Sequence, residues 1–351
     1  MRAFVIEGPS SGSIREVPEP EPGPRDVVVD VEVVGLCGTD VELFEGTMPY
    51  FRQGLAAYPL RPGHEWAGTV RAVGSDVTSV GPGDRVTADT FIGCGVCRLC
   101  GSGRHYLCAD HVEIGVRGGR PGALAELICV PEVAVHRLPA QMSAVAGAFV
   151  EPAGCALRAV RAGGVEPDMR TLVLGTGTLG LLAAQFARAL GASVCVAGKE
   201  PEQIELAWQL GFDDVTRPHL LSGAGFDAVI EATGAPEVPA QAAGWLAPGG
   251  RLVLLGVMPE PAPVDVGALV VNDAAVIGVL GGSACLGEAI DLLAAGKVQV
   301  EPLVAATVGL NDVGGVLERG GRVAGAGAPK VHVRPQVNPP GTRRAAVRHA
   351  S

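Results

Sequence analysis

The sequence predicts an α/β protein of two parts, a β-rich first part and a second part built on a parallel sheet flanked by helices. Three observations carry this. Between residues 27 and 130, short β-branched runs are separated by Gly and Pro turns. From about residue 155, apolar strands alternate with helical patterns, an alternation that implies parallel pairing through right-handed crossovers. Gly175, Gly177 and Gly180 form G-x-G-x-x-G directly after one of those strands and at the start of a helix.

Taken in order, the chain opens on a strand-like segment, MRAFVIEGPSSG, and PEPEPGP (18–24) follows as a stiff connector whose prolines exclude a helix. VVVDVEVV (27–34), WAGTVRAV (66–73), DRVTAD (84–89) and LAELICV (124–130) are predicted strands of the first part. In the second part, strands are predicted in TLVL (171–174), SVCVA (193–197), FDAVIEA (226–232), RLVLLG (251–256) and AAVIGVL (274–280). Helices are predicted over 179–190, 201–210, 236–246 and 287–296. Short strand-like pieces close the chain at PKVHVRP (329–335), and the Pro-broken, basic QVNPPGTRRAAVRHAS (336–351) is expected to be disordered.

At 351 residues the chain is long enough for two cores. It is 48% apolar and 18% charged, which suits a compact soluble enzyme rather than a disordered chain. A net charge of −10 with 4% aromatic residues argues against nucleic acid, which needs a basic stripe and stacking rings. The start has no apolar h-region of a signal peptide. The least charged stretch, Thr171 to Ala187, is interrupted by three glycines and is slightly short for a membrane span. No membrane partner is therefore expected. Cys37, Cys129, Cys155, Cys195 and Cys285 show no pairing pattern, which points to the cytoplasm.

Cys94, Cys97, Cys100 and Cys108 stand in GCGVCRLCGSGRHYLC at C-x2-C-x2-C-x7-C. That spacing folds four thiolates around one tetrahedral ion, and zinc favours four sulfurs where it only holds a loop together. Gly93, Gly95, Gly101 and Gly103 allow the tight bends. A closed shell leaves no position for substrate, so this zinc is expected to be structural. The alternative is two disulfides or four unrelated thiols.

In LVLGTGTLGLLAAQFARALGA the three motif glycines serve a tight turn, backbone access to a pyrophosphate and close helix–strand packing. Thr178 and Leu179 open the helix, whose free N–H groups suit phosphates. A dinucleotide is the expected cofactor. The end of the next strand normally carries an acid for the adenosine-ribose hydroxyls, but CVAGKEPEQ has Gly198 there and Lys199 beside it. That tilts the cofactor toward NADP over NAD, with Glu200 as the alternative acid.

GLCGTD (35–40), RPGHEWAG (61–68), VGPGDRV (80–86), the cysteine quartet, EPAG (151–154), GTGTLG, EATG (231–234) and GGS (281–283) occur in an order that resembles the zinc-containing medium-chain dehydrogenase/reductase family. The resemblance runs to about residue 335 and is nearest the polyol and threonine dehydrogenase branch. It implies a GroES-like catalytic domain (1–153, with the zinc loop at 93–108), a doubly wound Rossmann domain (154–295) and a return to the catalytic domain (296–335). It also implies a second, catalytic zinc on Cys37 and His64, completed by Glu65 or Glu151 directly or through water. Cys155, four residues after Glu151, reads as a packed thiol.

Thr39 resembles the family's proton-accepting hydroxyl, and Glu42 stands where many relatives continue the relay with histidine. Asp40 reads as a hydrogen-bond acceptor within the fold. The implied reaction is hydride transfer between NAD(P) and a secondary alcohol of a polyol, sugar, cyclitol or amino alcohol, or the reverse reduction of a ketone with NADPH. The segment 46–60, with Tyr50, Phe51 and Arg52, is expected near the cleft mouth. Relatives pair Rossmann edge strands, so a homodimer or homotetramer is expected. A non-catalytic dinucleotide-binding or redox-sensing relative is the alternative from another class.

Overall fold

The computed structural model describes residues 1–336 apart from 222, 224, 259, 260 and 324. The tail expected to be disordered lies outside the described residues, save Gln336, whose amide donates to the Glu126 carbonyl at 2.9 Å. In the first part the strands are β1 (Arg2–Gly8), β2 (Ser11–Glu16), β3 (Asp26–Leu36), β4 (Glu65–Val73), β5 (Arg85–Ala88), β6 (Phe91–Ile92), β7 (Val112–Glu113), β8 (Leu127–Pro131) and β9 (Val135–Arg137). The helices there are α1 (Gly38–Glu45), α2 (Pro49–Arg52), α3 (Arg98–Gly101) and α4 (Ala144–Ala148).

A long helix, α5 (Val150–Ala162), leads into β10 (Arg170–Leu174), α6 (Thr178–Ala189), β11 (Ser193–Ala197), α7 (Pro201–Gln209), β12 (Asp214–Thr216), β13 (Phe226–Glu231), α8 (Val238–Ala243) and β14 (Leu246–Leu254). The remaining elements are α9 (Val266–Val271), β15 (Ala275–Gly278), α10 (Leu286–Ala294), β16 (Val304–Gly309), α11 (Val313–Glu318) and β17 (Lys330–Arg334). The predicted strand at 124–130 begins only at Leu127, and the predicted helix at 236–246 is shorter at both ends. The α5 helix was not predicted, because Pro152 and Gly154 disguise its first turn; proline is tolerated there, where N–H groups lack intrahelical partners.

A seven-stranded sheet runs β16-β17-β3-β4-β5-β9, with β8 also paired to β3. It joins the first part of the chain to its last described strands. Val27, Val29 and Val31 of β3 enter one core, and Val34 and Leu36 enter it farther along. The change from odd to even positions follows from a register shift between Val31 and Val33, since an irregularity of this kind turns the succeeding side chains over.

The other sheet is six-stranded and parallel, in the order β12-β11-β10-β13-β14-β15. Its central strands β10 and β13 are buried on both faces. Val173, Val196, Ile230 and Val253 pack toward α5, α6 and α10, whereas Leu172, Cys195, Val229 and Leu252 pack toward α8 on the opposite side. The strand order reverses between β10 and β13, and the crevice outside such a switch point is where ligands bind in open α/β sheets. The expected doubly wound fold is thus present.

Gln185 of α6 is fully buried and ties this sheet to the chain leaving it: its amide donates to the Gln299 carbonyl at 3.0 Å and accepts from the Gln299 N–H at 2.7 Å. Gln185→Leu should lower stability by roughly 1–3 kcal/mol, since it leaves both backbone groups without this partner. Urea denaturation would show the midpoint moving down with little change in slope; an unchanged midpoint would mean that the pair contributes nothing.

Candidate active site

Cys37 follows β3 and is the N-cap residue of α1, His64 immediately precedes β4, and Glu65 is the first residue of β4. One ligand atom from each lies within 4.8 Å of the others. Asp40 sets this spacing. Fully buried, its carboxylate accepts from the Cys37 N–H at 2.9 Å and from the Gly63 N–H at 3.1 Å, so it clamps the two backbones that carry the thiol and the imidazole. Burial raises the Asp40 carboxyl above its ordinary range, with His64 opposing the rise.

Glu65 stands opposite Gly35 in the β3–β4 ladder. A methyl group at position 35 would collide with the Glu65 carboxylate, which accounts for glycine at the start of GLCG. From β17, Lys330 donates to both Glu65 oxygens, at 2.9 and 2.6 Å, and to the Leu36 carbonyl at 3.1 Å. Burial would raise the Glu65 carboxyl, but Lys330 and then His64 bring it below the ordinary range.

Glu151, in the first turn of α5, lies outside the group defined by Cys37, His64 and Glu65. Its carboxyl is pushed up to about 7 by burial, with His64 opposing and Glu65 adding to the rise. One turn on, the Cys155 thiol donates to Glu151 Oε1 at 3.5 Å. Burial would push His64 toward neutrality, but Asp40, Cys37 and Glu151 outweigh it and favour positive charge there. The pocket therefore gathers carboxylates and a thiol faster than it gathers cations. A sulfur, an imidazole nitrogen and carboxylate oxygens are also the donor types that zinc takes in open sites. The residues fit the metal.

Thr39 is half-buried at the start of α1, and Glu42 lies three residues on, one turn along the same helix. Burial raises the Glu42 carboxyl, and Glu45 raises it further. On α2, Tyr50 donates to Glu113 Oε1 at 2.9 Å, and His111 Nε2 lies 2.9 Å from the same oxygen. Phe51 stacks on Tyr58 with ring centroids 4.4 Å apart.

The four cysteines of the quartet also converge, their sulfurs lying within 4.8 Å of one another. The N–H groups of Cys94 and Cys100 point at the sulfurs of Cys108 and Cys97, each at 3.5 Å, an arrangement that suits thiolates on a metal. A side chain at Gly93 would strike the Cys100 sulfur. Beside this loop, buried Asp89 takes His105 Nε2 at 2.7 Å and the Ser283 hydroxyl at 2.8 Å. The backbones of Gly154 and Gly282 touch so closely that neither position has room for a side chain.

At the glycine-rich turn, Gly175 has φ 113°, and a side chain at Gly180 would run into the Gly175 carbonyl. The space beside Gly177 is open, as a close ligand approach requires. Thr178 and Leu179 begin α6. A side chain at Gly198 would collide with Thr176, which accounts for the missing acid, and Lys199 lies 3.3 Å from Glu237 at the surface. Arg217 follows β12 directly, and the Gly198 N–H donates to the Thr216 carbonyl at 3.0 Å, so Arg217 and Lys199 leave adjacent strand ends.

Sequence reasoning missed Lys330, His332 and Arg217. The signal for the first two was a lysine and a histidine at alternate positions inside an apolar strand, KVHVR. Lys330→Met should destabilise by about 3–5 kcal/mol because it strands a buried carboxylate. Lys330→Met combined with Glu65→Gln should cost clearly less than the sum of the two single changes, and additive denaturation midpoints would contradict the pairing. His332 packs 5.1 Å from the Phe149 ring with both ring nitrogens unpartnered. Burial, and then Lys330, lowers its pKa to about 4. The unfolded chain then binds the extra proton between about pH 6.5 and 4, so stability held above that window falls as pH drops through it, by on the order of 3 kcal/mol. His332→Leu should flatten that part of the Tm–pH curve; a curve parallel to the parent's would reject the assignment.

Residues 23–140 match the alcohol dehydrogenase GroES-like domain, and residues 178–295 match the zinc-binding dehydrogenase domain. The chain is 33% identical to L-threonine 3-dehydrogenase of Streptomyces avermitilis over 89% of its length and 94% of the relative's. It is 32% identical to sorbitol dehydrogenase of Halalkalibacterium halodurans over 74% of its length and 78% of that protein's. Its fold superposes with TM-score 0.88 on a zinc-binding dehydrogenase of Sinorhizobium meliloti 1021 solved with NADP, at 32% identity and covering 95% of this chain and 99% of the other. Sequence, fold and site thus agree: the chain is an oxidoreductase of the zinc-containing medium-chain dehydrogenase/reductase, or alcohol dehydrogenase, family.

Proposed function

We propose that the enzyme transfers hydride between a secondary alcohol of a polar substrate (a polyol, sugar, cyclitol or amino alcohol) and NADP in preference to NAD. The observation that carries this reading is the convergence of Cys37, His64 and Glu65 in a buried, carboxylate-rich pocket beside Glu151. Cys37 and His64 hold the zinc there, and Glu65 or Glu151 completes the shell; the quartet of Cys94, Cys97, Cys100 and Cys108 holds the other zinc. The bound metal supplies Lewis acidity toward the substrate oxygen, and the dinucleotide supplies the hydride acceptor.

The chain's own groups do the rest. Asp40 fixes the thiol and imidazole backbones. Thr39 receives the substrate hydroxyl proton, and Glu42, with its raised carboxyl, takes the place of a relay histidine toward solvent. Carboxylates around the pocket suit a substrate with several hydroxyl or amino groups better than a long apolar alcohol. Gly175, Gly177, Thr178, Leu179 and Gly180 receive the pyrophosphate. Gly198 leaves room at the ribose, and Lys199 with Arg217 favours a 2′-phosphate.

Edge strand β15 exposes Val276, and α9 beside it exposes Val270 and Val271. These apolar groups support pairing of two copies through this edge. None of the nine cysteines is joined in a disulfide, which supports a reducing compartment such as the cytoplasm. No helix among the described residues is long and apolar enough to cross a membrane.

Reduced-cofactor formation should be measured with zinc-loaded enzyme against polyols, sugars, cyclitols and amino alcohols, each with NAD and with NADP. Turnover on one group, faster with NADP, is the expected result. Cys37→Ser and His64→Ala should reduce turnover by about a thousandfold or more while leaving dinucleotide affinity within about twofold. Lys199→Ala should weaken NADP roughly tenfold and NAD little. Near-normal rates in either ligand variant would overturn the metal assignment, and clearly tighter binding of NADH than NADPH would overturn the cofactor preference.

A further inference from the structure

A cavity of about 380 Å³ lies between the β1–β2 hairpin and its proline-rich exit, the segment 56–61 and the loop 115–121. Its walls are largely apolar, with Val5, Val17, Pro18 and Leu60 among them, yet three arginines line it, Arg61, Arg117 and Arg120, and no aspartate or glutamate does. Arg117 is already engaged: its guanidinium lies 3.1 Å from His111 Nε2 and over the Tyr50 ring. The other two are not. Arg61 is half-buried, and its buried Nε has no hydrogen-bond partner among the described residues. Burial brings its pKa down to about 10, with the Cys129 thiol opposing the fall. Arg120 faces the same thiol. It enters no ion pair among the described residues.

Withdrawing a guanidinium from water without an acceptor is unfavourable, and folded chains normally pair such a group with a carboxylate. This chain has no shortage of them, with 37 acidic against 27 basic side chains. The acids are simply absent from this wall. A planar fork of donors matches a carboxylate or phosphate oxygen pair, and the volume lies within the range of small-molecule sites. We infer that the cavity binds a small organic oxyanion, its charged end held by Arg61 and Arg120 and its apolar body by the prolines and valines around them.

The site adjoins the catalytic strand without sharing a residue with it. The Gly122 N–H donates to the Arg61 carbonyl and the Ala123 N–H to the Gly63 carbonyl, both at 2.7 Å, so the loop that closes the cavity is laced to the segment leading into His64.

The test is calorimetric titration of the full-length, zinc-loaded enzyme saturated with its dinucleotide, so that the glycine-rich turn is already filled. Inorganic phosphate and hexanoate are titrated separately at constant ionic strength. At least one should bind saturably at one site per chain, and Arg61→Gln and Arg120→Gln should each weaken it about tenfold or more. Binding of phosphate alone assigns a phosphorylated ligand, and binding of hexanoate alone assigns a carboxylate; either supports the inference. Should Arg61→Gln fail to fold, Arg120→Gln decides. No saturable binding of either anion overturns the inference. Binding that the folded arginine variants leave unchanged overturns it equally, because the anion then sits on the metal or elsewhere.

Discussion

The constraint on which the rest of this structure depends is the removal from water of Asp40, His64, Glu65 and Lys330 together, all nearly or fully buried around one point. None of these groups tolerates burial alone. Asp40 spends its oxygens on two backbone N–H groups, Glu65 spends both of its own on Lys330, and His64 lies among the anions. Hydrophobic packing in the two sheets brings these side chains to one place. Their mutual charge balance then decides what else belongs there. With Glu151 and the Cys37 thiol beside them, the acidic groups outnumber the basic ones, and this defines a cation site more firmly than any single ligand does.

Two sheets of different construction meet at this point, and each contributes what it can hold rigidly. The ends of β3, β4 and β17 present Cys37, Glu65 and Lys330 from adjacent strands, so their separations are fixed by backbone ladders rather than by loops. The helix α5 brings Glu151 against them, and the contact between Gly154 and Gly282 lets the glycine-rich segment beyond β15 lie directly on that helix. On the dinucleotide side, the parallel sheet leaves its crevice at the reversal of strand order, and the glycines there are required by contacts the structure makes explicit. Gly180 is needed because a carbonyl occupies its Cβ position, and Gly198 because Thr176 does.

How much of this was legible in the sequence divides along physical lines. The cysteine quartet and the glycine-rich turn could be read from spacing, because their chemistry is local. The parallel sheet was legible because fully buried strands carry continuous apolar runs. Cys37 and His64 gained meaning only from resemblance, since a lone thiol and a lone imidazole are more often core residues than ligands. Lys330 was invisible as the partner of Glu65, 265 residues away; periodicity tells that a side chain points inward and not what it meets. Helix α5 escaped because its proline and glycine answer to a helix start and a neighbouring backbone, not to a loop.

The junction at Asp89 gives the cysteine loop a second role. One carboxylate holds a histidine from inside that loop and a serine from the far side of the cleft. The loop is therefore a buttress between the two halves as well as a knot of its own. Cys94 is its exposed sulfur, and surface thiols are the first to meet peroxide. Oxidation at that point would loosen the loop and, through His105 and Asp89, the tie to Ser283.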